Sequence, residues 1–226
     1  MLLNLLDGGT GVCVDVGANH PFEHSLSWPF EQRGWRCVLV EPHPRYAEML
    51  RRERRSVVYE CACGDPRKPG TTATLTLAGP LSTAVGRLVD PQAQSRVEGE
   101  IEVPVMRLDE ILEREGITTV DFLSVDVEGM ELQVLEGLDL SHVRPGLILL
   151  EDHVLNLTKH RYMQRHGYRI LCRTGINAWY VPRESALQPS GFARLQLFRK
   201  YYVGLPWRRL RHAVRAWSYR QAHPIP

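Results

Sequence analysis

The run Val12–Asn19, V-C-V-D-V-G-A-N, constrains the fold of this chain more than any other segment. An apolar strand ends around Asp15, and Gly17 lets the backbone turn sharply. A helical-length stretch then leads to a second apolar strand, C-V-L-V-E-P, which ends on Glu41. The layout suits a nucleoside cofactor. The glycine allows close backbone approach, and a carboxylate about 20 residues on can take the ribose hydroxyls.

The same alternation runs along most of the chain. Short apolar runs predict strands at 11–16, 36–41, 56–62, 120–126, 146–151, 168–173 and 177–182. Helices are expected at 23–33, 43–54, 107–115, 129–136 and 156–165. The first five strands have the apolar character of strands covered on both faces. Residues 64–100 differ. Pro66, Pro69, Gly70, Gly79 and Pro80 break them up and Thr72–Leu77 alternates, so an extended excursion or hairpin is expected. The last two strands flank Gly175 and read as a hairpin-like pair at the sheet edge. The fold class is α/β: a doubly wound, mostly parallel sheet with an antiparallel edge strand.

The glycine pattern narrows the cofactor. A dinucleotide loop reads G-x-G-x-x-G, whereas Asn19 and Phe22 stand at the second and third glycine positions. A pyrophosphate needs those glycines, so a cofactor without phosphate fits better, and S-adenosylmethionine is one. Asp15 and Asn19 offer polar groups beside Gly17, and Glu41 offers its carboxylate.

Further segments follow in order: A-C-G-D, R-L-D-E-I-L, V-D-F-L-S-V-D-V-E-G-M-E-L-Q-V-L-E-G and L-I-L-L-E-D-H. With the opening loop they resemble the FkbM-type methyltransferase family over roughly residues 11–182. The resemblance implies a class I methyltransferase (Rossmann-like) fold and S-adenosylmethionine-dependent O-methylation, commonly of sugar or natural-product hydroxyls. Carried over by position, Asp15, Gly17, Asn19 and Glu41 would hold the methionine and ribose parts, and Cys63 and Asp65 would lie by the adenine. Ser124 stands where many members have Lys, and His20-Pro21 follow Asn19 where a small residue is common.

Methyl transfer to a hydroxyl needs alignment and removal of a proton. The fourth and fifth strands end on Asp126, Glu128, Glu151, Asp152 and His153. L-L-E-D-H-V also looks like the metal-binding turn of catechol-type O-methyltransferases. By that analogy Asp126, Asp152 and His153 would hold a divalent cation, magnesium or, given the histidine, manganese. A second reading makes His153 or Asp126 a general base without metal. A third has these groups cap helices and pair with arginine. His20 and Glu128 are candidate substrate contacts, while Glu131 and Glu136 read as solvated-face residues.

Charge divides the chain. After Glu184 there is no Asp or Glu and there are eight Arg or Lys, which leaves residues 1–184 at a net −6. We expect a methyltransferase domain over 1–184 and a basic, aromatic helical appendage over 185–226, broken near Gly204-Leu205-Pro206. The appendage suits peripheral membrane contact or packing in a homo-oligomer such as a dimer. Nucleic acid is not expected as a partner, because no recognition module accompanies the charge. A small-molecule or glycan acceptor is the expected substrate. A non-catalytic nucleoside-binding scaffold is the alternative from another class. The five cysteines show no zinc spacing and read as core thiols of a reducing cytoplasm. Met1–Leu6 lacks a basic leader, so no signal peptide and a cytoplasmic place are expected, with the basic tail suited to contact at the inner face of the membrane.

Overall fold

The computed structural model describes residues 9–64, 71–77, 99–154, 156–211 and 214. Two compact units divide the chain after Glu151; composition alone predicts the division after Glu184.

The first unit contains β1 (Val12–Val16), β2 (Arg36–Val40), β3 (Val57–Tyr59), β4 (Ala62–Cys63), β5 (Thr72–Leu77), β6 (Gly99–Met106), β7 (Phe122–Val125) and β8 (Leu147–Glu151). Five of these run in the order β3-β2-β1-β7-β8, with β1 central, and neighbours in this order pair in parallel. Val14 lies between Val38 and Leu123 in register, and all three side chains are buried. Each such burial stabilises the fold by about 1.5–3 kcal/mol. That burial on both faces is why these strands read as apolar runs.

The expected strand over 56–62 is two strands. β3 joins the parallel sheet, while β4 pairs with β6 in a separate three-stranded sheet. Thr72–Leu77 pairs antiparallel with β6, Leu75 opposite Ile101, and Leu75 and Val103 bury together with Ala62.

Helices α1 (Trp28–Glu31), α2 (Pro44–Glu53), α3 (Leu108–Arg114) and α4 (Glu131–Glu136) connect the strands. The helix expected over 23–33 shrinks to the single turn α1. His24 adopts φ 59, and Pro29 has no N–H to continue a helix backwards. Helix α2 starts at Pro44 as expected, and His43 Nδ1 caps it by accepting from the Arg45 N–H at 3.2 Å.

Gly17 has φ +86, and a Cβ there would run into the Asp126 carbonyl oxygen. The glycine is therefore required by close approach to the end of β7, not only by a ligand. Gly17→Ala combines a strained backbone with a backbone clash and is expected to cost about 3 kcal/mol or more in a urea titration. A cost under about 1 kcal/mol would show that the loop relaxes freely.

The second unit holds α5 (Thr158–Arg165), the antiparallel pair β9 (Tyr168–Thr174) and β10 (Asn177–Pro182), α6 (Gly191–Phe198), a π-helix over Arg199–Val203, and helix over 204–211. The expected break at Gly204-Leu205-Pro206 is not a break. The helix widens just before it, where the Pro206 ring would otherwise crowd the carbonyl of Tyr202.

Candidate functional site at the ends of β1, β2 and β7

A cavity of about 310 Å³ opens where β1, β2 and β7 end, and Asp15, Glu41 and Asp126 are among the residues lining it. Strand order departs in opposite directions from β1 at this point, which is where open α/β sheets leave room for ligands. The backbone lattice continues past the strands. Gly17 and Ala18 donate to the Val40 carbonyl at 2.9 and 3.2 Å, and Asp126 donates to Val16 at 3.0 Å.

Glu41 organises one side of the cavity. Its two carboxylate oxygens accept from the Asn19 N–H at 2.7 Å and the His43 N–H at 2.8 Å. Asn19 has φ 52, a left-handed conformation that asparagine tolerates better than most residues. Burial pushes the Glu41 carboxyl up to about 7; the two N–H groups oppose that rise and the nearby Asp15 adds to it.

Asp15 is buried too, and burial raises its pKa against the Ser27 hydroxyl and the Arg54 guanidinium. Ser124 is its register partner on β7. The Ser124 hydroxyl is close enough to favour the Asp15 charge, yet among the described residues no group stands in hydrogen-bond geometry with it. Cys61 and Cys63 also line the cavity. Asp65 lies outside the described residues.

The opposite wall is acidic. Asp126 and Glu128 line the cavity, and Glu128 has φ 51. Burial, followed by the charges of Glu151, Glu128 and Glu131, pushes Asp126 up to about 8. Glu131 is a correction: it is fully buried, not solvated, and its carboxylate accepts from the Gly129 N–H at 2.8 Å. It secures the turn that carries Glu128. Glu136 is exposed as expected.

The rim is the 20–27 loop, of which His20, Glu23, His24 and Ser25 line the cavity. His20 Nδ1 accepts from the Phe22 and Glu23 N–H groups at 3.3 and 3.0 Å, which leaves Nε2 for a ligand. Arg54 holds this loop and is the residue that sequence reasoning missed. It donates to the Pro21 carbonyl at 2.9 Å and the Ser25 hydroxyl at 3.2 Å, and pairs with Glu31 at 3.1 Å. Its guanidinium also stacks 5.0 Å from the Trp28 ring centroid. Within R-R-E-R-R it reads as one surface charge among several; its place just past the end of α2 is the sole sequence cue.

The expected cation ligands do not form a set. Asp152 Oδ1 accepts from the Val154 N–H at 2.8 Å, and Oδ2 accepts from the Tyr201 hydroxyl at 3.1 Å and faces Arg173 at 3.4 Å. Both oxygens are thus engaged inside the second unit. His153 is exposed. Among the described residues, no group of three His, Cys, Asp or Glu side chains is placed to hold a metal ion. Asp126, Asp152 and His153 do not fit a divalent cation, because Asp152 already neutralises a buried arginine.

S-adenosylmethionine is a better match to what lines the cavity. Asp15, Glu41, Asp126 and Glu128 face it, and among its described lining residues there is no Lys or Arg. Such a wall repels a pyrophosphate and attracts a cation, and the Ser124 hydroxyl remains available to a polar ligand.

A family model described as the methyltransferase FkbM domain matches residues 15–170. No curated protein matches the chain. Among solved structures, the crystal structure of methyltransferase FkbM from Methylobacillus flagellatus KT is similar at a TM-score of 0.46 and 19% identity, over 76% of this chain and 43% of that one. The chain thus spans less than half the length of that protein. The matched residues run from Asp15 at the end of β1 into β9 and cover more than half of the 226 residues, so the chain belongs to the methyltransferase FkbM domain family.

Proposed function

We propose that the chain is an S-adenosylmethionine-dependent O-methyltransferase of the class I, Rossmann-like type, acting on a hydroxyl of a sugar or glycan. The observation that carries this reading is the acid-lined cavity at the switch point of the sheet, with no Lys or Arg among its described lining residues. S-adenosylmethionine carries a sulfonium and an ammonium, both of which this wall favours, and it supplies an already activated methyl group. Asp15, Asn19 and Glu41 would hold it, and Cys63 lines the same cavity. Glu41 meets a ribose already anchored, because its two oxygens are fixed by the Asn19 and His43 N–H groups.

Asp126 takes the acceptor proton. A sugar hydroxyl is a weak acid, and a carboxylate raised to about 8 by burial and its neighbours is a stronger base than an ordinary aspartate. His20 and Glu128 line the same space and can orient polar acceptor groups. Support for a sugar rests on the family resemblance and on this polar lining; a natural-product hydroxyl is the competing acceptor.

Calorimetry tests the cofactor reading. Glu41 is half protonated near pH 7 in the free protein, and a cationic ligand favours its ionised form. S-adenosylmethionine binding should therefore release protons, and should be about tenfold weaker at pH 6 than at pH 8. No binding of either S-adenosylmethionine or S-adenosylhomocysteine would sink the proposal and favour the scaffold. Binding without methylation across a panel of glycosides would keep the cofactor and refute the acceptor.

A further inference from the structure

The helical tail of the second unit has two apolar faces. On the inner one Tyr201 and Leu205 are buried with Val154, packed by Leu157, Ile170 and Leu197. Tyr201 is also held by polar contacts: its hydroxyl donates to Asp152 at 3.1 Å and accepts from Arg173 at 3.0 Å. That face accounts for docking within the unit.

The outer face is left over. Phe192 is 77% exposed and Trp207 68%, and Leu195, Val203 and Leu210 are each more than half exposed. Val203, Trp207 and Leu210 recur at helical spacing, so they form one stripe. An apolar stripe on a helix whose other side is already buried marks a surface that is covered in use. Phe192, Leu195, Val203 and Trp207 also line a groove of about 470 Å³, with Arg199, Lys200 and Arg208 around it.

Charge selects the occupant. The chain beyond Glu184 has eight Arg or Lys and no acid. A second copy on a two-fold axis would set these cations against themselves. Burial, together with the charges of Arg173 and Arg208, already holds Lys200 below the usual lysine value, a crowding that an anion relieves. An anionic bilayer supplies all that the face lacks: acyl chains for Phe192 and Leu210, an interface for Trp207, and phosphates for the arginines. No described helix is long and apolar enough to cross a membrane, so the helix would lie in the interface plane.

We propose that the outer face of the 191–211 helical segment is a docking surface for an anionic lipid bilayer. The proposal is independent of the methyl-transfer reading and would survive its failure.

Co-sedimentation of the full chain tests it, using vesicles of phosphatidylcholine alone or mixed with phosphatidylglycerol. The mixed vesicles should bind at least roughly tenfold more tightly, and high salt should remove most of that difference. The double variant Phe192→Ser, Trp207→Ser should lose roughly tenfold or more of the binding. Both side chains are exposed, so its circular dichroism and thermal midpoint should match the parent. Equal or absent binding to the two vesicle types overturns the proposal, as does undiminished binding by a folded double variant. A concentration-dependent dimer without vesicle binding, abolished by the same substitutions, overturns it in favour of self-association. Retention by single-stranded DNA but not by vesicles overturns it in favour of nucleic acid.

Discussion

Asp126→Asn is expected to lower kcat by about a hundred- to ten-thousandfold, the usual worth of a positioned general base. Asparagine keeps the shape and cannot take the acceptor proton, so affinity for S-adenosylmethionine should stay within a few-fold. The pH profile separates this role from a structural one. The base acts ionised, and burial with the surrounding carboxylates sets its value in the free protein at about 8. kcat/KM should therefore climb with pH through about 8 and then level, and the asparagine variant should lose that rise. Stability supplies a second readout of opposite sense. The folded protein holds the Asp126 proton to a pH far above the ordinary aspartate value. Its contribution is therefore fully present below that value and is lost as pH rises through about 8. The asparagine variant should lack that slope and be the more stable protein at alkaline pH, by a few kcal/mol on the order of the linkage. A variant with an unchanged rate profile would place the base elsewhere. Activity abolished by EDTA and restored by magnesium or manganese would overturn proton removal without a metal.

Arg54→Met should have the largest effect on stability, about 3–5 kcal/mol, because it leaves a buried carboxylate without its cation. The side chains of Arg54 and Glu31 are 0% and 7% exposed. The loss also frees the Pro21 carbonyl and the Ser25 hydroxyl, so the rim of the cavity loosens. In a chain of this size the thermal midpoint should drop by roughly 10 °C, and KM for the acceptor should rise. Arg54→Lys should recover little, because one ammonium cannot reach the several acceptors spanned by the planar fork. Adding Glu31→Gln to Arg54→Met should return part of the lost stability, since the orphaned charge goes with it. A thermal midpoint within a degree or two of the parent in the single variant would show that the loop is held by other contacts.

The parallel sheet is legible in the sequence because its strands are buried on both faces, and V-C-V-D-V and L-I-L-L-E advertise that burial directly. The acids at strand ends are legible for a related reason: an acid that interrupts an apolar run is conspicuous. The 17–27 segment is not legible. Its conformation comes from Arg54, nearly 30 residues away, and long-range hydrogen bonds leave no local period. Glu131 shows the same limit in the other direction. A glutamate in a first helical turn looks solvated, but here it folds back onto the Gly129 N–H and is buried. Asp152 misleads because its partners Arg173 and Tyr201 lie in later elements, and proximity in sequence to Glu151 and His153 suggested a shared site.

The near-contact between the Gly17 turn and the Asp126 carbonyl also bears on how the proposed enzyme can change. The spacing between the Gly17 turn and the backbone of the proposed base is set by van der Waals thickness, with no side chain between them to lengthen or trim. Mutation at those two positions cannot tune the gap; it can only damage it. New acceptors would have to be accommodated from the 20–27 rim, whose shape depends on a guanidinium clamp and on exchangeable side chains. The sheet end behaves as a fixed gauge and the rim as its adjustable jaw, so under the proposed function substrate range can drift while the transfer distance stays constant.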